Sequence, residues 1–223
     1  MLRCGSQSRK VAKYFFYIFT KITFKMNFLA HIYLSGEDDF VKIGNFMADS
    51  IRGSQYLDYP NAIQKGILLH RHIDSFTDAH PIYRKSKHRL HEKYGHYSGV
   101  IMDIAYDHFL AKNWSKYSNE KLEDYAADFY QLMQDNYEIL TERVKGMLPY
   151  MIGRNWLVSY ATIAGLEMIL FQMDYRTKHR AHMQEAIVEI QDFYTEFESE
   201  FFQFFEELVF SCQQKLKELN EIL

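Results

Sequence analysis

The stretch LHRHIDSFTDAHP, residues 69–81, decides how this chain is read. Its ionisable residues do not alternate as a half-buried strand would require. His70 and Asp74 stand four apart, so on a helix they lie one above the other, and Asp78 extends the row if the helix continues past Ser75. Upstream, Pro60 suits a first helical turn, and the spacing predicts a helix from there to about Ser75. The same period recurs outward on both sides. Phe40, Ile43, Phe46 and Met47 form one apolar stripe, followed by a polar corner at 52–59. A segment from Pro81 to Gly95 and an apolar helix over 99–114 come next. Ser118 opens a helix reaching about Arg143, 147–149 is a break, and the apolar helix over 153–173 is expected at the centre of the bundle. The acidic segment over 182–219 carries Phe193, Phe197, Phe201, Phe204, Phe205 and Leu208 on one face. One all-α domain, a helical bundle over 26–223, is the resulting fold class.

Composition agrees. Only 3 Pro and 10 Gly stand against 18 Phe and 17 Tyr in 223 residues, so turns are few and the segments between them long. With 48% hydrophobic residues the chain can bury a core without disulfides. Cys4 and Cys212 make no framework and no zinc-type spacing, which suits a reducing compartment and a cytoplasmic protein. The apolar runs 14–19 and 168–173 are far shorter than the roughly 20 residues a bilayer span requires.

The formal charge of -3 is unevenly spread. Residues 1–25 hold six Lys or Arg and no acid, so 26–223 carry 20 bases against 29 acids, a net of -9. Such a body has no broad basic field for nucleic acid. The leader 1–25 has a basic start and the run YFFYIF, but Thr20 and Lys21 interrupt it and no small-residue cleavage site follows. It is expected to lie outside the fold, with Met26 as the natural start.

Three segments concentrate ionisable groups in apolar sequence. Besides His70 and Asp74, MDIAYDHFLAKNW (102–114) holds Asp103 and Asp107 four apart with His108 beside them, and IGNFMADSIRG (43–53) holds Asp49 and Arg52. His31 lies in MNFLAH. Imidazole and carboxylate together suit a divalent metal of intermediate hardness, Mn2+ or Fe2+, with Mg2+ as the harder alternative. Each cluster also has a plain structural reading. His70/Asp74 has the spacing of a hydrogen-bonded pair, Asp103/Asp107 that of ion-paired acids, Asp49/Arg52 that of a local ion pair, and His108 that of a satisfied core histidine. Their coincidence on three helices favours a shared site, because a bundle can aim all of them at one point.

These residues resemble the acyl carrier protein phosphodiesterase family: MNFLAH at 26–31, GNFMADSIRG at 44–53, LHRHIDSFTDAHP at 69–81 and DIAYDHFLAKNW at 103–114, with a weaker match in NWLVSYATIAGLEMIL at 155–170. The resemblance implies a helical, metal-dependent hydrolase distantly akin to HD phosphohydrolases, which removes 4'-phosphopantetheine from holo acyl carrier protein. For that reaction the chemistry of these residues makes His70, Asp74 and Asp107 the expected metal ligands, Mn2+ foremost, with His31, Asp49 and Asp103 as further ligands or orienting groups. Arg52 and Arg71 would hold the phosphoryl oxygens, and His108 would protonate the leaving serine oxygen. The implied protein partner is acidic, so docking would use Arg84, Lys85, Lys87, His88 and Arg89, or Arg176, Lys178, His179 and Arg180; alone, such charge runs commonly just solvate a helix. Two rival functions stay open on residues alone: the same metal chemistry on a nucleotide or small phosphate ester, and an iron- or haem-binding bundle. The second is disfavoured by the lack of any Glu-x-x-His pair.

Overall fold

In the computed structural model, which describes residues 27–223 apart from the Arg176 side chain, helix α1 (Phe28–Leu34) leads into α2 (Asp39–Met47), which crosses α3 (Asn61–Ala79). Two glycines make that crossing close. A β-carbon on Gly44 would run into the Ile63 carbonyl, and one on Gly66 into the Val41 carbonyl. The Asp38 carboxylate starts α2 by accepting from the Phe40 and Val41 amides at 2.9 and 3.2 Å. Pro60 directly precedes α3, as the sequence predicts, but the helix continues to Ala79, a turn beyond the expected Ser75. His70 and Asp74 therefore share a continuous helix.

Helix α4 (Pro81–Tyr94) begins at Pro81 and ends at Gly95, whose φ of 53° needs glycine. Helix α5 (Ser98–Lys112) is the centre: every residue from Ile101 to Ala111 is buried. The expected central segment over 153–173 is instead broken and partly exposed. To get there the chain passes through α6 (Leu122–Asp135) and α7 (Glu142–Gly153), not one helix from Ser118 to about Arg143 followed by a break at 147–149. The reason is local capping: Asn136 Nδ2 donates to the Leu132 carbonyl, closing α6, and the Thr141 hydroxyl accepts from Val144 N, opening α7. Pro149 is carried inside α7 at the cost of one backbone bond. The short α8 (Trp156–Ser159) and α9 (Ile163–Arg176) follow, with Met168, Phe171 and Tyr175 exposed on α9.

After α10 (Ile187–Asp192), the 29-residue α11 (Tyr194–Ile222) lays Phe197, Phe201, Phe204, Phe205 and Leu208 against α3, α4 and α5. Each of these side chains contributes about 1.5–3 kcal/mol by leaving water. One acid on that face is buried with them. Glu200 is held by Arg89 in a bidentate pair at 2.6 and 2.7 Å and by the Ser86 hydroxyl at 2.5 Å. The described residues contain no strand, so the fold is an all-α single domain, and among them no helix is long and apolar enough to cross a membrane. The leader 1–25 lies outside the described residues.

Candidate metal centre

The α1, α2 and α3 helices converge on Asn45. Its Nδ2 donates to the His31 carbonyl and the Ser35 hydroxyl, both at 2.9 Å, which fixes the orientation of the amide. Oδ1 must then be the acceptor for His31 Nδ1 at 2.7 Å and His70 Nδ1 at 3.2 Å. With both Nδ1 atoms carrying hydrogen, each neutral imidazole turns its Nε2 lone pair away from Asn45. The rings stack with centroids 4.2 Å apart, so the two lone pairs emerge side by side.

They emerge towards carboxylates. His31 Nε2 lies 3.6 Å from Asp74 Oδ1, and His70 Nε2 lies 3.5 Å from Asp74 Oδ2 and 3.4 Å from Asp49 Oδ1. Neither Nε2 makes a hydrogen bond, although both atoms are buried. Lone pairs facing anions repel unless a positive species lies between them. Ligand atoms of His31, His70 and Asp74 fall within 4.8 Å of one another. Donors about 2.1 Å from one ion stand roughly 3.0 Å apart in an octahedron and 3.4 Å in a tetrahedron, so the observed spacing is close to that of a shared ion. Two imidazoles and two carboxylates fit an intermediate divalent cation such as Mn2+ or Fe2+.

The electrostatics agree. With no cation present, a proton takes the place between His70 Nε2 and the carboxylates: burial disfavours protonated His70, yet facing Asp49 and Asp74 outweighs it and pushes the pKa up to about 9, so a metal ion would bind there by displacing that proton. Burial, with His70 alongside, holds His31 below its ordinary value despite Asp74. Burial would raise Asp74, but the two imidazoles overcome it and keep its carboxyl well below the usual carboxylate range. The pocket selects for positive charge.

The α5 residues do something else. Asp107, expected as a ligand, accepts from the Leu29 and Ala30 amides at 2.9 Å each and so caps the start of α1. Burial pushes its carboxyl up while those two amides pull it down. Asp103 accepts from the Tyr83 hydroxyl at 2.6 Å. His108, expected as the acid, donates from Nδ1 to the Tyr160 carbonyl and accepts at Nε2 from the Tyr194 hydroxyl, both at 2.7 Å. Burial lowers its pKa, away from the protonated form an acid needs. The reason for the difference is that α5 is the core helix, whose polar groups are matched one by one.

Around the centre, Arg71 donates to the Ile51 and Gly53 carbonyls at 3.3 and 2.8 Å and lies over the Tyr56 ring, so it braces the 53–58 turn. Arg52 is exposed at the start of that turn. Asp49 pairs not with Arg52 but with Arg143 from α7, at 3.5 Å. Of the first basic run, Lys85 and Arg89 are bound to Glu200, Arg84 donates to the Asp78 carbonyl, and Lys87 lies over Tyr83. In the second, Lys178, His179 and Arg180 are exposed, with His179 on Asp174 at 2.9 Å. The Arg176 side chain is outside the described set. A cavity of about 750 Å³ opens between the end of α1, α6 and α11, and none of His31, Asp49, His70 and Asp74 lines it.

Asn45 and Arg143 escape sequence reasoning. Asn45 leaves one signal, a polar residue between Gly44 and Phe46 on an otherwise apolar stripe; Arg143, in a run of charged residues, leaves none.

A helical domain with a His–His–Asp cluster, its two histidines buried and its Asp74 half-buried, is the class that this fold and site define. The family model described as acyl carrier protein phosphodiesterase matches residues 26–208, and the chain belongs to that family. It is 28% identical over 191 residues to the acyl carrier protein phosphodiesterase of Photorhabdus laumondii, covering 85% of this chain and 96% of that one. The Pectobacterium atrosepticum protein of the same name is 29% identical over 181 residues, 81% and 94% of the two chains. That of Yersinia pestis is 28% identical, with 85% and 99% covered. No solved structure matches.

Proposed function

We propose that this protein hydrolyses the phosphodiester joining 4'-phosphopantetheine to a serine of holo acyl carrier protein. Water adds to phosphorus, the bond to the serine oxygen breaks, and the products are apo carrier protein with a free serine and the arm as a phosphomonoester. The observation that carries the reading is the pair of buried Nε2 lone pairs of His31 and His70 turned by Asn45 towards Asp74 and Asp49, in a chain of this family. The relatives' name, acyl carrier protein phosphodiesterase, supports the substrate.

A divalent cation, Mn2+ foremost and Mg2+ or Fe2+ as alternatives, would be held by His31, His70, Asp74 and Asp49, and would neutralise phosphoryl charge and acidify water. Asn45 fixes both imidazoles in the tautomer that can ligate. Arg52, three residues beyond Asp49 and exposed, is our assignment for the phosphoryl oxygens; Arg71 supports its turn. His108 stabilises the core, so the departing serine oxygen draws its proton from elsewhere. Both basic runs have exposed residues, but Lys85 and Arg89 of the first are bound to Glu200, so Lys178, His179 and Arg180 are the better run for meeting an acidic partner in the cytoplasm.

The test is release of phosphopantetheine from holo carrier protein in the presence of Mn2+, beside a panel of nucleotides. Release from the carrier protein is expected. Turnover of nucleotides alone would reject the substrate and leave the metal centre standing.

A further inference from the structure

Asp49 sits in the three-residue turn Ala48–Ser50 at the end of α2, a segment with no side-chain cap of its own. What holds it comes from far along the chain. Arg143, in the first turn of α7, reaches Asp49 Oδ2 with Nη2 at 3.5 Å and donates from Nη1 to the Asp49 carbonyl at 3.4 Å. The same guanidinium thus grips both the carboxylate and the backbone of one residue, a planar fork that lysine cannot reproduce. Its side chain is only 10% exposed. On the opposite side, Asp49 Oδ1 faces His70 Nε2 at 3.4 Å. One carboxylate therefore spans a guanidinium and an imidazole whose other nitrogen is already fixed by Asn45.

We propose that Arg143 is a positioning residue of the metal centre, holding Asp49 so that Oδ1 stays aimed at the cation shared with His70. The inference rests on the metal-centre reading but not on the substrate. It has an unusual sign. A guanidinium beside a cation site repels the cation, so charge alone predicts that removing Arg143 tightens metal binding. Positioning through Asp49 predicts the reverse.

The experiment is an electron paramagnetic resonance titration of the full chain with Mn2+ alone, for wild type, Arg143→Gln, Arg143→Lys, Asp49→Asn and the Arg143→Gln/Asp49→Asn double variant, with helicity checked by circular dichroism. Arg143→Gln is expected to weaken Mn2+ binding about tenfold, the lower end of the effect of removing a group behind a ligand. Arg143→Lys falls between it and wild type, and the double variant binds no worse than Asp49→Asn alone. Tighter binding by Arg143→Gln, or losses that add in the double variant, would overturn the role. If Arg143→Gln unfolds, Arg143→Lys against Asp49→Asn carries the same comparison. A wild type that binds no Mn2+ would remove the centre itself, which a failure of carrier-protein hydrolysis would not.

Discussion

Helices α3 and α5 carry the same device with opposite outcomes. Each holds two ionisable residues four positions apart, buried His70 with half-buried Asp74 on one and buried Asp103 and Asp107 on the other, and each adds a further histidine nearby. On α5 the protein satisfies them itself: the α1 amides take both oxygens of Asp107, Tyr83 serves Asp103, and Tyr160 and Tyr194 occupy both nitrogens of His108. On α3 the matching stops at Asn45, leaving two buried Nε2 atoms without a hydrogen bond. Spacing creates the opportunity for a site. Unmet valence, directed at one point, distinguishes a site from a core.

The contrast can be broken in several ways. Asp74→Ala removes the carboxylate that both imidazoles face, and phosphopantetheine release should fall by more than about a hundredfold, beyond what loss of a group behind a ligand costs. Retained hydrolysis would mean that the cluster is structural. Asn45→Ala frees both imidazoles to turn, so Mn2+ affinity should drop roughly 10–100-fold in a titration even where the fold survives. Asp107→Asn tests the other side: it leaves at least one buried α1 amide unmatched, costing about 1–3 kcal/mol in denaturant unfolding. Its folded fraction should keep wild-type Mn2+ affinity.

The smallest effect concerns pH. Burial would raise the Glu200 carboxyl, but Arg89, Ser86 and Lys85 outweigh it and hold the pKa below the ordinary 4.5. Because the folded-state value is depressed, this contribution is fully present above about pH 4.5 and is lost as the pH falls through the lower folded value. Unfolding free energies of wild type and Glu200→Gln, measured from pH 7 to pH 3, should therefore converge in acid. Parallel curves would contradict the assignment.

The helical class was legible because apolar spacing and the prolines at 60 and 81 are local signals. The division between α6 and α7 was not, since it depends on which of Asn136, Thr141 and Pro149 dominates, and two side-chain caps outweighed the proline. Within the site, His70 and Asp74 announce themselves by sharing a helix face. Asp49 joins them through the glycine-permitted crossing of α2 and α3, and His31, on α1, through its hydrogen bond to Asn45. Asn45 acts across 14 and 25 residues and Arg143 across 94, distances at which one sequence carries no pairing information. That Asp107 and His108 are taken up by partners at 29, 30, 160 and 194 is hidden for the same reason, those partners being equally remote in sequence.

The most direct test is a Mn2+ titration of the intact protein beside His70→Ala and His108→Ala. The account predicts one Mn2+ per chain in wild type, its loss in His70→Ala, and its retention in His108→Ala. Binding that survives His70→Ala, or that disappears with His108→Ala while the fold persists, would contradict it.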